Sequence, residues 1–181
     1  MKLLIAIGVI LVVVVAFAAI YVYSGAYNVA ADSGDTTLMS WFLGTVSDQS
    51  VESHAKNIKP PNTLTDDAML VEGAGHYAEM CAGCHLAPGS GNDAIQSALN
   101  PQPPRLGLPN DLSAAEMFWV IKHGVKMSGM PAWGKSHSDQ EIWAITAFVR
   151  RLPTLNEKGY KDYIARAHEA EASEHQEAHT G

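Results

Sequence analysis

The chain has 181 residues and only two cysteines, and both lie in one pentapeptide, Cys81-Ala-Gly-Cys-His85. This pentapeptide constrains the fold more than any other feature. With no cysteine elsewhere, no disulfide framework can staple distant parts of the chain together. The residues around it read as helices joined by long loops, about 85 residues that build only a small apolar core. A domain of that size needs a staple or a cofactor. Two thiols followed directly by an imidazole offer three chemistries: a zinc site, an exchanging dithiol, or two covalent links to a haem with the histidine turned to its iron.

The first two use the motif incompletely. A structural zinc site takes four Cys or His ligands, usually as two pairs. There is no second cysteine pair, and no His-x3–5-His pair accompanies the helical core. A thioredoxin-like dithiol sits between a strand and a helix. No strand alternation precedes Cys81, and that chemistry gives His85 no task. In the third reading every residue works. Cys81 and Cys84 add to the two haem vinyl groups, and His85 is held beside the macrocycle as an iron ligand. The covalent haem then serves as the missing core.

A second axial ligand is expected downstream, in "KMSGMPAWG" (126–134). Met130 is the candidate. A thioether suits low-spin haem iron, and Met/His ligation raises the reduction potential. Gly129 allows close approach, and Pro131 restrains the backbone beside it. Met127 is the rival, and core packing is the ordinary use of either methionine.

Ahead of this region, Leu3–Tyr23 is a 21-residue run without a charge. It is long enough to span a bilayer as a helix and longer than the apolar core of an ordinary signal peptide. Lys2 precedes it, Asp32 and Asp35 follow, and no Lys or Arg appears again until Lys56. The positive-inside rule places the N-terminus in the cytoplasm and the remainder outside. Cleavage after Ser24–Ala26 is the competing reading, and it exports the same domain. Residues 1–23 are thus expected as a transmembrane anchor or cleaved signal. Residues 24–67 read as a connector with an amphipathic helix at 35–55 and a proline-stiffened linker at 57–67. Asp35 is the expected cap of that helix, with Leu38, Trp41, Phe42, Thr45 and Val46 at helical spacing. The helix is expected either on a membrane or partner surface or packed on the exported domain. Residues 68–153 form the helical domain, and residues 154–181 a polar acidic tail, partly helical or disordered. Within the domain, a first helix is expected over 68–80. Ser113/Glu116 and Ser138/Glu141 read as capping boxes for two more, with Gly124 and Pro153 as stops.

"GAGHYAEMCAGCHLAPG" (73–89) and "IKHGVKMSGMPAWG" (121–134) resemble the two halves of a class I c-type cytochrome. The resemblance covers about residues 68–153. It implies an all-α fold, a small cytochrome c-like domain wrapped around one covalent haem c and its iron, here preceded by a transmembrane helix. It implies a helix crossing at Gly73, Tyr77 and Phe148. It implies that the carbonyl of Pro88 accepts a hydrogen bond from His85, that Met130 is the distal ligand, and that Trp133 packs by the haem.

An iron closed by His and Met has no site for substrate, so the expected function is one-electron transfer between periplasmic or membrane redox partners. The expected location is the inner membrane, single-pass, with the haem domain on the periplasmic side. Net charge is −7, which argues against a nucleic-acid partner. Lys122, Lys126 and Lys135 rim the Met130 loop, and no acid lies between residues 122 and 135. They predict a positive docking face for an acidic redox partner. Arg105 either joins them or pairs with a haem propionate. Two alternatives remain open. One is a dedicated subunit of a larger membrane dehydrogenase, reductase or oxidase, respiratory or photosynthetic, with Trp41 and Phe42 as contact residues. The other is a haem sensor or peroxidase-like enzyme with a labile distal ligand. Of the remaining histidines, His76 is expected to be exposed and His54 to lack a partner. His123 and His137 flank the Met loop, and His168, His175 and His179 belong to the tail.

Overall fold

The computed structural model describes residues 1–91 and 93–178; His179, from the tail, lies outside them, as does the side chain of His175. Among the described residues there are helices and no strands. The chain divides into two units, Met1–Gly34 and a compact unit from Asp35 onward.

The first unit is essentially one helix, α1 (Lys2–Tyr23), none of whose side chains is buried. An 18-residue stretch of it has a mean hydropathy of 3.3. At 1.5 Å per residue it is about 33 Å long, enough to cross a hydrocarbon core of about 30 Å. By length and composition it is a candidate membrane span.

The compact unit contains α2 (Thr37–Ala55), α3 (Asp67–His76), a π-helical turn (Tyr77–Cys81), α4 (Ala82–His85), α5 (Ala94–Ala98), α6 (Ala114–His123), a 3-10 turn (Trp133–Lys135), α7 (Asp139–Arg151), a second 3-10 turn (Leu152–Thr154) and α8 (Glu157–Ala178). Local signals set most boundaries. Both capping boxes form: Ser113 and Ser138 accept from the backbone N–H of Glu116 and Glu141, whose carboxylates accept in return. Gly124 ends α6 at φ +66°, where a Cβ would lie 2.7 Å from the Met130 and Pro131 carbonyl oxygens. One boundary differs from expectation. α2 is capped by Thr36, whose Oγ1 accepts from Met39 N at 3.3 Å, and not by Asp35.

α3 is the centre of the packing, with α7 and α8 against it. Two glycines admit these neighbours. A Cβ on Gly73 would lie 1.9 Å from the Ala144 carbonyl oxygen, so α7 crosses backbone to backbone there. A Cβ on Gly75 would lie 3.3 Å from the Ala167 Cβ, so α8 runs close along another face. Around the crossing, Tyr77, Ile142, Ile145, Phe148 and Leu152 are fully buried. Phe148 lies 5.7 Å from Tyr77 and 5.6 Å from Tyr163, ring to ring, in tilted and edge-on geometries that aromatic quadrupoles favour. Phe118 of α6 stacks on Trp143 of α7 at 4.1 Å.

The compact unit extends beyond residues 68–153 at both ends. Beyond Thr154, α8 brings Tyr160, Tyr163, Ile164 and Ala167 onto the core, and Arg166 makes a two-pronged ion pair with Asp67. Upstream, the C-terminal half of α2 docks on α6 through buried Val51 and Ala55. Its N-terminal half does not dock: Leu38, Trp41, Phe42, Leu43 and Val46 are all exposed. The expected packing on the domain is thus met by the C-terminal half alone.

Candidate haem site

The cysteine motif begins inside a distortion. α3 changes to π-helical pitch over Tyr77–Cys81, and α4 then makes a single turn ending at His85. Such widened turns concentrate at functional sites because they rotate the following residues out of the helical phase. Leu86 takes φ +66° and turns the chain sharply away. That turn is tied down by Tyr77, whose buried Oη donates to the Leu86 carbonyl at 2.6 Å. Tyr77 thus closes a ten-residue segment whose interior holds both cysteines and the histidine. Sequence reasoning assigned Tyr77 only to the helix crossing.

The two cysteines form no disulfide; Cys81 is buried and Cys84 half-buried. Burial, with a smaller contribution from Cys84, pushes the Cys81 thiol up to about 12. Burial also holds the Tyr77 phenol above its ordinary value. His85 is half-buried, and desolvation lowers its pKa against the opposing effect of a backbone hydrogen bond. The neutral imidazole, the form that binds iron, is therefore favoured.

The hydrogen bond corrects one expectation. His85 Nδ1 donates to the carbonyl oxygen of Pro104 at 2.8 Å, not to that of Pro88. Pro88 lies only three residues on, in the turn leaving the motif, whereas the Pro103–Pro104 loop returns to face the ring. A carbonyl only accepts, so Nδ1 carries the proton and Nε2 keeps its lone pair for a metal. Arg105, the next residue, is exposed.

The Met130 loop is held by its own bonds. Val125 N donates to Met130 O at 3.3 Å, Ser128 Oγ donates to Val125 O at 2.8 Å, and Met130 N donates to Ser128 Oγ at 3.1 Å. Met130 and Trp133 are partly buried against the same apolar cluster that contains Cys81, Phe118 and Ile121. Met127, at φ +58°, is 90% exposed. The loop therefore turns one thioether in and the other out.

These residues fit a haem. Cys81 and the inward thioether of Met130 meet in one apolar cluster, and the motif that holds Cys81 also carries Cys84 and an imidazole whose Nε2 is left available. This is the donor set of a c-type cytochrome domain. Residues 68–149 match the family model described as cytochrome c oxidase, cbb3-type, subunit III, so this stretch of the chain is a c-type cytochrome domain. The cofactor of such a domain is covalently bound haem c with its iron. No curated protein matches the chain.

The charge rim is weaker than its sequence suggested. Lys122 pairs with Asp139 at 2.5 Å and lies 5.4 Å over the Phe118 ring. Asp139 stands just outside the acid-free stretch. Lys126 and Lys135 remain exposed. His76 is half-buried, 5.4 Å from His137, which in turn lies 5.6 Å from Trp133. His54 has partners as well: its Nδ1 lies 2.7 Å from Ser50 O, and its ring is 5.3 Å from Trp119. Trp119 also neighbours His123, at 5.0 Å.

Proposed function

We propose that the domain is a one-electron carrier whose haem is attached through Cys81 and Cys84 and whose iron is held by His85 and Met130. One observation carries this reading: His85 spends Nδ1 on Pro104, which fixes the tautomer that presents Nε2 to iron. The haem supplies an Fe(III)/Fe(II) couple. The protein's part is to hold both axial ligands, exclude water from one side of the ring, and leave an edge for partners. With both axial positions occupied there is no place for substrate, so the domain passes electrons and makes no bonds. Trp133 packs beside the ring on the Met130 side, and Arg105 faces a propionate. Lys126 and Lys135, without Lys122, attract an acidic redox partner. α1 holds the domain at the inner membrane, uncleaved and on the periplasmic side, as the flanking charges argue.

The test is the visible spectrum of the purified full chain, ferric and ferrous, with and without carbon monoxide. A covalent low-spin haem indifferent to carbon monoxide is expected, and Met130→Ala should bind it readily while Met127→Ala should not. Ready binding by the unaltered protein would replace the carrier with a sensor or enzyme.

A second reading has its own support. The exposed apolar half of α2, together with the oxidase-subunit family model, favours a place within a larger membrane oxidoreductase. The domain would then pass electrons to or from a fixed neighbour.

A further inference from the structure

The loop that meets His85 cannot hold itself in place. Asn100–Arg105 reads Asn-Pro-Gln-Pro-Pro-Arg, and its three prolines have no backbone N–H. The segment offers carbonyls but few donors. Donors from neighbouring elements therefore help to fix its orientation. Two consecutive carbonyls receive them. Pro104 O accepts from His85 Nδ1 at 2.8 Å, and Pro103 O accepts from Gln96 Nε2 at 3.1 Å.

Gln96 is 3% exposed, one of two buried polar residues among those described. The other, Thr146, spends its hydroxyl on its own helix, at Ile142 O. Gln96 instead reaches out of α5, and its carbonyl oxygen accepts from Gln102 Nε2 at 3.1 Å. Both ends of its amide are thus bound to the proline loop. α5 is itself fixed, with Asp93 Oδ1 accepting from Ile95 N at 2.8 Å and α4 packed against it. A buried amide is costly unless satisfied, so this one holds its partners in a single arrangement.

We propose that Gln96 is a positioning residue for the iron. By fixing the Pro103 peptide it aims the Pro104 carbonyl at His85 Nδ1, and through that bond it sets the basicity of the ligand and the reduction potential. The inference rests on His85 being an iron ligand. A firm Nδ1–H···O bond makes the imidazole a stronger donor and favours ferric iron. Loosening it moves the potential positive.

The test uses the full-length holoprotein in detergent, comparing the unaltered chain with Gln96→Met, which keeps length and loses both hydrogen bonds. Ile95→Ala, on the exposed side of the same helix, is the control. Two quantities are read: the midpoint potential, and the exchange rate of the His85 Nδ1 proton in the ferrous protein by NMR. The expected result is a more positive potential with exchange roughly 2- to 10-fold faster, the equivalent of one hydrogen bond weakened. Ile95→Ala should change neither. If Gln96→Met does not accumulate as holoprotein, Gln102→Ala, which removes the support on the amide oxygen, should give a smaller shift of the same sign. An unchanged potential in either accumulating variant overturns the proposal. So does a shifted potential with unchanged exchange, which would reflect altered solvation of the haem. A spectrum of the unaltered protein lacking His/Met low-spin features would instead overturn the ligand reading itself.

Discussion

Tyr77 shows how much one hydroxyl can hold. Its Oη is the donor to the Leu86 carbonyl, both residues are buried, and the bond bridges the segment containing the whole cysteine motif. Tyr77→Phe keeps the ring contacts with Phe148 and Tyr160 and leaves a buried carbonyl without its donor. We expect a loss of about 1–3 kcal/mol, measured by urea unfolding of the holoprotein with no change in haem content. An unchanged midpoint would mean that water reaches the Leu86 carbonyl. At this scale the sequence reported chemistry better than geometry. Cys81, Cys84 and His85 could be proposed from sequence because covalent haem attachment calls for fixed residue types at fixed spacing. Met130 could be preferred to Met127 because glycine and proline flank it. Pro104 was not legible. The carbonyl that meets His85 belongs to a residue 19 positions on, and only the path of the intervening loop decides which proline comes back.

Elements were legible where their determinants are local. The two capping boxes use residues three apart, and both form. They also carry a pH signature. Hydrogen bonds from Ser113 and Ser138, side chain first and then backbone, hold the Glu116 and Glu141 carboxyls below their ordinary value. A carboxyl with a depressed folded pKa contributes stability that is fully present above about 4.5, its unfolded value, and is lost as pH falls through the folded value. Glu116→Gln with Glu141→Gln should therefore flatten the melting temperature against pH below 4.5 and leave its slope above pH 6 unchanged. Calorimetry across that range checks it, and identical acid limbs would refute it. α8 was missed because its composition is that of a solvated tail. The signal was present in its spacing: Tyr160, Tyr163, Ile164 and Ala167 fall at i, i+3, i+4 and i+7, one face of a helix. The polar majority of the segment is simply its outward side. α2 escaped for a different reason. From Val46 to Val51 is five residues, so the apolar stripe shifts by about 140° around the axis. One half docks on the domain and the other faces away, and no single period describes both.

For the whole molecule, the unresolved affinity is that of α2's exposed half. Residues 36–47 carry no charge, and the side chains at 38, 41, 42, 43 and 46 stand in the open. Contiguous apolar surface of this kind marks an interaction site. If the domain works inside a larger membrane assembly, solubilisation in mild detergent should yield the full chain with a stable partner, and Trp41→Ser with Phe42→Ser should release it while the haem spectrum stays intact. Recovery of the unaltered chain alone would leave the free carrier. The lengths of the two units were readable in outline: an apolar run long enough for a bilayer, then a helical domain. That α2 and α8 pack onto this domain was not, because they join it through contacts between residues distant in the chain.

The Met130 loop also divides chemical wear between its two sulfurs. Met127 stands in solvent and Met130 is turned inward. Peroxide arriving from solvent meets the outer thioether first, and a sulfoxide there adds a polar oxygen to a side chain already in water. The same oxidation at Met130 would put a polar oxygen into the apolar cluster it packs against and, with Met130 the iron ligand we propose, would also remove a soft donor. Exposure thus makes the outer methionine the more readily oxidised of the two, three residues from the one that packs inward.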